Sequence, residues 1–286
     1  MIELKNLSKS YGKTEVLENI NSVFENGKIY GLIGQNGSGK TTLMKIIANH
    51  IRKYQGEVLL DGKKISNDTS VLEKISYVGD GFSKSNSSLN CGIKNIFKNV
   101  KSLRPEFDSD YANELLEKFS LSKDIKYKKL STGNKTIVEL IIGLALRSPI
   151  SIFDEPSSGL DAVNRYRFYS LLMEDIEKYP RTVIISTHII GEIENYLTDL
   201  KIIHKGRFIL EDEVENVQDK AYKFKDHKPE GKNILAKESV AGSTFYFVYD
   251  NFTGDELLKM QDDGVEFEKI DLQKLFIAMI GGAHYE

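Results

Sequence analysis

The stretch Gly34-Gln35-Asn36-Gly37-Ser38-Gly39-Lys40-Thr41-Thr42 constrains the fold of this 286-residue chain more than any other. It fits the pattern G-x-x-x-x-G-K-[ST]. The apolar run "KIYGLI" precedes it and the helically spaced "TTLMKII" follows. Strand, glycine-rich turn and helix in that order predict a β-α unit of a parallel sheet. Gly37 and Gly39 free the backbone to curl, so that successive N–H groups point into one concavity. The positive end of the helix adds to that field, and the product is a cradle for phosphate. Gly34, Asn36, Ser38 and Thr42 complete its wall. Lys40 would bridge β- and γ-phosphates, and the Thr41 hydroxyl would ligand Mg²⁺.

The rest of the chain fits an α/β architecture. Residues 1–30 alternate like strands, with Asn26-Gly27 as a hairpin turn, and "GEVLLDGKKI" predicts a second hairpin turned at Asp61-Gly62. "KISYVGD" reads as a strand. "CGIKNIFKNVKSL" and "DSDYANELLEKFSL" read as helices, the latter capped by Asp108 or Ser109. A helix is expected at 134–147, then the strand "ISIFDE", the helix "RYRFYSLLMEDIEKY", the strand "TVIIST", the helix "IGEIENY" and the hairpin "DLKIIHKGRFILEDE". Alternation of this kind predicts a mostly parallel sheet, with the helical segment 85–147 beside it. Residues 1–213 are read as one domain and 214–286 as an α+β appendage. In the appendage "AYKFKDHKPEGKN" is expected to be loop, "STFYFVYDN" a strand, and "DELLKMQDDG" and "DLQKLFIAMIGG" helices.

Two further stretches bear on chemistry. "ISIFDEP" ends a buried strand in two carboxylates. Asp154 would hold Mg²⁺ through water, and Glu155 would polarise an attacking water as general base. "KKLSTGNKTIVEL" is a loop opening into a second helix, whose first N–H groups at Ser131, Thr132, Gly133 and Asn134 would attract another anion. Charge excludes a general nucleic-acid affinity, because 39 Lys and Arg face 42 Asp and Glu for a net −3. The single cysteine, Cys91, excludes an internal disulfide. The N-terminus has no apolar signal segment, and the longest apolar candidate for a span, "IVELIIGLALRSPISIF", is broken by Glu139, Arg147 and Pro149.

"SSGLDAVNR" follows the carboxylate strand directly, and "VIISTH" ends one strand later at His188. With the P-loop and "LSTGN" in this order, residues 1–212 resemble the ATP-binding cassette of ABC transporters. The resemblance implies a P-loop ATPase core with an antiparallel β subdomain and a helical subdomain. It also implies ATP and Mg²⁺ as ligands, and a role for each matching residue. Tyr11 in "KSYGK" would stack on adenine, though a surface-turn tyrosine is the alternative. Leu130 to Asn134 match the signature loop, with Thr132 in place of its first glycine and Asn134 after Gly133. Asp161 would contact a partner cassette, and His188 would contact the γ-phosphate. In this family two cassettes pair head to tail, so that the signature loop of one completes the phosphate cradle of the other. The second cradle then serves the partner's nucleotide.

One position departs from the family. The strand "ISYV" should lead to a glutamine that touches Mg²⁺, and "SYVGDGF" offers Asp80 instead. Asp80 is either a metal ligand with a shorter, charged arm or an exposed turn residue. Acidic replacements and a C-terminal helix like "EKIDLQKLFIAMIGG" are similar to cassettes of the bacitracin, lantibiotic and small-peptide exporters. The expectation is an exporter ATPase paired with a second cassette, as homodimer or heterodimer. It would sit on the cytoplasmic face of the membrane through an integral permease, with no nucleic-acid partner. A soluble ABC ATPase acting on ribosomes or DNA, and a weakly hydrolysing dimerisation switch, remain the alternatives.

Overall fold

The computed structural model describes residues 1–65, 69–79 and 90–281. It divides into two compact units, Met1–His188 with Ile203–Ile209, and Ile189–Ile202 with the chain from Leu210 onward. Asp80 lies outside the described residues, as does the expected start of the helical insert at 85.

The strands up to Glu213 form two sheets. β1 (Ile2–Tyr11), β2 (Thr14–Phe24), β4 (Gln55–Leu60) and β5 (Lys63–Lys64) form an antiparallel sheet in the order β2-β1-β4-β5. The second sheet runs β10-β9-β3-β8-β7-β6, from β3 (Ile29–Ile33), β6 (Ile75–Val78), β7 (Ile150–Asp154), β8 (Thr182–Thr187), β9 (Asp199–His204) and β10 (Arg207–Glu213). The pairs β3/β8, β8/β7 and β7/β6 are parallel. Every residue of β3, β7 and β8 is buried, as expected of a parallel sheet covered on both faces. Helix α1 (Lys40–Ile47) buries Leu43, Met44, Ile46 and Ile47 in a core shared with Leu4, Phe24, Leu32 and Ile184. Each such side chain contributes about 1.5–3 kcal/mol when fully buried.

Asn26-Gly27 is a turn but closes no hairpin, because β2 belongs to the antiparallel sheet and β3 to the parallel one. The Tyr30 hydroxyl accepts the Glu25 N–H at 2.7 Å and the Thr182 hydroxyl accepts that of Gly27 at 3.0 Å, so the chain is pinned as it changes sheets. The turn at Asp61-Gly62 does close a hairpin, with Leu60 opposite Lys63.

A four-residue helix α2 (Thr69–Leu72) precedes β6, and the insert follows it as α3 (Ile93–Leu103), α4 (Ser109–Lys118) and α5 (Thr132–Leu146). Asp108 caps α4 by accepting the Tyr111 N–H. α5 lies against the sheet through Gly143, where a Cβ would stand 2.5 Å from Val78 and 3.0 Å from the Phe153 ring. Arg147 ends α5 at φ 44 and ties the insert to the core. Its guanidinium reaches Asp108 at 2.8 Å and Asp175 of α6 (Ala162–Lys178) at 2.9 Å, and stacks on Tyr111 and Tyr179.

In the second unit α7 (Val214–Lys220) leads to a sheet ordered β12-β13-β11-β14, from β11 (Ala221–Lys225), β12 (Ile234–Val240), β13 (Ser243–Tyr249) and β14 (Phe267–Lys269). "AYKFK", expected as loop, is an inner strand of this sheet. Ala221, Tyr222 and Phe224 are buried, while Lys223 and Lys225 pair with Glu268 and Glu266. Tyr222 and Phe224 pack with Phe252 and Phe267. Two helices complete the unit, α8 (Gly254–Asp262), opened by a Thr253–Glu256 capping box, and α9 (Leu272–Gly281). The expected helix "IGEIENY" is instead two single 3₁₀ turns, Ile190–Glu192 and Glu194–Tyr196.

Candidate active site

The chemistry-bearing residues of the first unit gather where β3, β7 and β8 end, at the carboxyl edge of the parallel strands. The loop 34–39 leaves β3 and enters α1 under close constraint. A Cβ on Gly34 would fall 2.4 Å from the Ile203 carbonyl oxygen, and one on Gly39, at φ +111, would fall 2.8 Å from that of Val16. Gly37 has φ +81 and open space around it, so its backbone faces outward without cover. The loop is fixed from below by the Ser38 N–H donating to Gln35 O at 3.1 Å and the Gly206 N–H donating to Ser38 O at 3.1 Å.

Lys40 is only 5% exposed. Its ammonium donates to the carbonyls of Gly34 at 2.5 Å and Gln35 at 3.2 Å, and stands 3.8 Å from Glu155 Oε1. Burial pushes its pKa below the ordinary lysine range, while the Glu155 and Asp154 carboxylates oppose that shift. A partly desolvated cation at the mouth of a glycine loop suits a multiply charged phosphate. The buried Ser38 Oγ has no hydrogen-bond partner among the described residues.

Asp154 and Glu155 diverge from the end of β7. Asp154 Oδ1 accepts the Thr41 hydroxyl at 3.2 Å and the Ser186 hydroxyl at 2.7 Å, and Oδ2 accepts the Tyr77 hydroxyl at 2.8 Å. With its hydrogen given to Asp154, the Thr41 oxygen keeps its lone pairs for a hard cation. Among the described residues no group of three or more His, Cys, Asp or Glu could hold a metal. Thr41, Asp154, waters and phosphate oxygens nonetheless fit Mg²⁺, which keeps several waters and uses few side chains.

Glu155 turns away at φ +50, a left-handed conformation that costs a non-glycine residue about 1 kcal/mol or more. Its N–H is held by Ser186, through Oγ at 2.9 Å and the carbonyl at 3.2 Å. His188 Nδ1 lies 2.7 Å from Glu155 Oε2. The carboxylate can only accept, so Nδ1 carries the hydrogen. Glu155 thus stands between a lysine and a histidine, beside the glycine loop.

The structure brings Gly34, Asn36, Gly37, Ser38, Gly39, Lys40, Thr41, Thr42, Asp154, Glu155 and His188 to one edge. It does not bring Ser131 and Gly133 there. Ser131 caps α5 by accepting the Asn134 N–H at 3.2 Å, and Gly133 abuts the Gly159 carbonyl, which would be 2.8 Å from an added Cβ. No hydrogen bond among the described residues joins 131–133 to 34–42. Asp161 caps α6, accepting from the Asn164 backbone at 2.8 Å and its side chain at 3.1 Å. Tyr11 sits at the tip of the β1–β2 hairpin, 50% exposed, with the Lys9 ammonium 4.6 Å from its ring centre. The same hairpin meets the glycine loop at Val16 and Leu17. Sequence reasoning missed Tyr77 and Ser186. The available signal for Ser186 was a hydroxyl residue, followed by Thr187, at the end of the apolar run "VII".

A family model described as ABC transporter matches residues 17–158. The ABC transporter ATP-binding protein YtrB of Bacillus subtilis (strain 168) is 32% identical over 221 residues, which cover 77% of this chain and 72% of that protein. The lantibiotic transport ATP-binding protein SrtF of Streptococcus pyogenes is 31% identical over 215 residues, 74% of this chain and 91% of that one. Among solved structures, a dimeric ATP-binding cassette in a post-hydrolysis state, bound to ADP and Pi, matches with a TM-score of 0.65 at 24% identity. It covers 75% of this chain and 99% of that chain, and shows the shared fold. Proteins named for bacitracin transport, glutamine transport and zinc uptake align as well, the first of them over 87% of this chain.

Proposed function

Because this chain belongs to the ABC transporter ATP-binding proteins, ATPases that couple hydrolysis to transport, we propose that it powers a separate permease exporting small peptides or other amphipathic compounds. The observation that carries the ATPase part is the cluster of Lys40, Thr41, Asp154, Glu155 and His188 around one glycine loop. The loop N–H groups and Lys40 would bind the triphosphate, Tyr11 would stack on adenine, and Thr41 and Asp154 would hold Mg²⁺, directly and through water. Mg²⁺ would supply positive charge beside the β- and γ-phosphate oxygens. As water attacks the γ-phosphorus and the bond to ADP breaks, Glu155 would take the water's proton. His188, bound to Glu155, would orient that carboxylate and touch the γ-phosphate.

A second copy, or a different cassette, would complete the site. Ser131 and Gly133 of one cassette would donate to the γ-phosphate held by the other, and Asp161 would lie at the same junction. That no hydrogen bond among the described residues joins 131–133 to this chain's own glycine loop supports that assignment, as does the dimeric form of the related cassette. Residues 1–213 would be the ATPase domain and 214–286 an accessory domain. The longer alignment to the bacitracin transport protein supports the exporter reading.

No helix among the described residues is long and apolar enough to cross a membrane. In this reading the permease would do the spanning, with this chain held at its inner face. The test is to co-express the chain with its candidate permease and measure ATP-driven peptide movement in inside-out membrane vesicles. Accumulation of peptide inside the vesicles is expected. ATP-driven loss of preloaded compound would reverse the direction, and co-purification with ribosomes instead of the permease would overturn the transport role.

A further inference from the structure

Asp154 is fastened from the strands on both sides of it. β7 lies between β6 and β8, and each neighbour sends one hydroxyl to the same carboxylate. Ser186 stands directly opposite Asp154 in the β7–β8 register, and a serine is long enough to reach across. Tyr77 does not stand opposite Asp154. It registers with Ile152, two residues earlier on β7. Residues two apart share a face of a strand, so the Tyr77 ring lies on the Asp154 side of the sheet. To reach Oδ2 it must extend about 6–7 Å along the strand, the rise of two residues, which is about the length of a phenol side chain.

The local packing fits this reach. The His50 ring meets Tyr77 edge to face at 5.1 Å and sets the phenol's direction. Gly79 passes directly over the bond, since a Cβ there would fall 2.8 Å from both the Tyr77 oxygen and the Asp154 Cβ. Glycine at 79 leaves the Tyr77–Asp154 contact room to form. The carboxylate plane is then set by three donors, Tyr77 on Oδ2 with Ser186 and Thr41 on Oδ1. A carboxylate has roughly four lone-pair positions, so little freedom to rotate is left.

We propose that Tyr77 is a positioning residue for the divalent cation that accompanies ATP. It fixes Asp154 so that Oδ1, beside Thr41, faces the cation. Ser186 shares the task but differs in one respect, because it also accepts the Glu155 N–H and so supports the base as well as the metal side. This inference rests on the reading of the site as one for Mg²⁺ and ATP. Partners that orient a metal-binding carboxylate are commonly worth about 10–100-fold in metal affinity or activity.

The test uses the purified full chain, a fluorescent ATP analogue and Mg²⁺ titrations of both nucleotide binding and hydrolysis. Wild-type protein that binds no Mg²⁺-nucleotide would sink the site reading itself. Given wild-type binding, Tyr77→Phe keeps the ring against His50 and removes only the hydroxyl. Its nucleotide affinity in EDTA should stay within about twofold of wild type, while the half-saturating Mg²⁺ concentration rises about tenfold in both titrations. Ser186→Ala should show the same Mg²⁺ shift and, unlike Tyr77→Phe, a hydrolysis rate that stays depressed at saturating Mg²⁺. An unchanged Mg²⁺ midpoint in Tyr77→Phe would reduce the tyrosine to a space-filling role and overturn the proposal. Equal loss of nucleotide affinity with and without Mg²⁺ would also overturn it, by placing the effect on the phosphate cradle.

Discussion

Lys40→Ala is expected to lower ATP affinity by about 100-fold or more and to remove measurable hydrolysis. The ammonium is 5% exposed and already arranged by the carbonyls of Gly34 and Gln35. It can turn to a phosphate with little conformational cost. Charge-assisted hydrogen bonds of this kind contribute about 1.5–3 kcal/mol each. Losing two of them corresponds to two or more decades in affinity, at about 1.4 kcal/mol per decade. Alanine also leaves Glu155 and Asp154 facing a triphosphate without the compensating charge. Calorimetric titration with Mg²⁺-ATP reads the affinity, and phosphate release reads the rate. A Lys40→Ala protein with near-normal values of either would remove the glycine loop from the active site.

Glu155→Gln is expected to act in the opposite sense on binding. Glutamine keeps the size of the side chain and an acceptor near His188, but cannot take a proton from water. Loss of a general base costs about 10²–10⁴-fold in rate. Removing a negative charge close to Lys40, 3.8 Å away in the wild type, should hold or raise ATP affinity. The variant should therefore accumulate an ATP-bound, paired form that wild type passes through quickly. Single-turnover hydrolysis together with size-exclusion chromatography in Mg²⁺-ATP checks both halves. Hydrolysis reduced less than tenfold would mean that Glu155 is not the base.

The sequence revealed those parts of the site whose chemistry is local. The glycine loop is recognisable because spacing alone forces it, with positive φ at Gly37 and Gly39 and a lysine at the helix start. Asp154 and Glu155 are recognisable as charges ending an apolar strand. Ser186 and Tyr77 are not, because their roles arise only when β6 and β8 flank β7 in a given register. Asp161 shows a role that sequence did not supply, the cap of α6. Errors elsewhere have the same origin. Asn26-Gly27 has hairpin chemistry, yet the strands it joins enter different sheets. "AYKFK" looks polar because its lysines alternate with buried aromatics, which is the period of a half-buried strand rather than of a loop.

The most direct test of the composite pocket mixes two inactive proteins. Lys40→Ala lacks a working cradle, and Ser131→Arg obstructs the signature turn. Each homodimer should be inactive alone. In a head-to-tail mixed pair, the intact cradle of one chain meets the intact signature turn of the other, so one whole site is restored. Recovery of ATP hydrolysis on mixing, with a paired mass by light scattering in Mg²⁺-ATP, is the result expected. No recovery, alongside wild-type protein that hydrolyses ATP at full rate as a strict monomer, would contradict it.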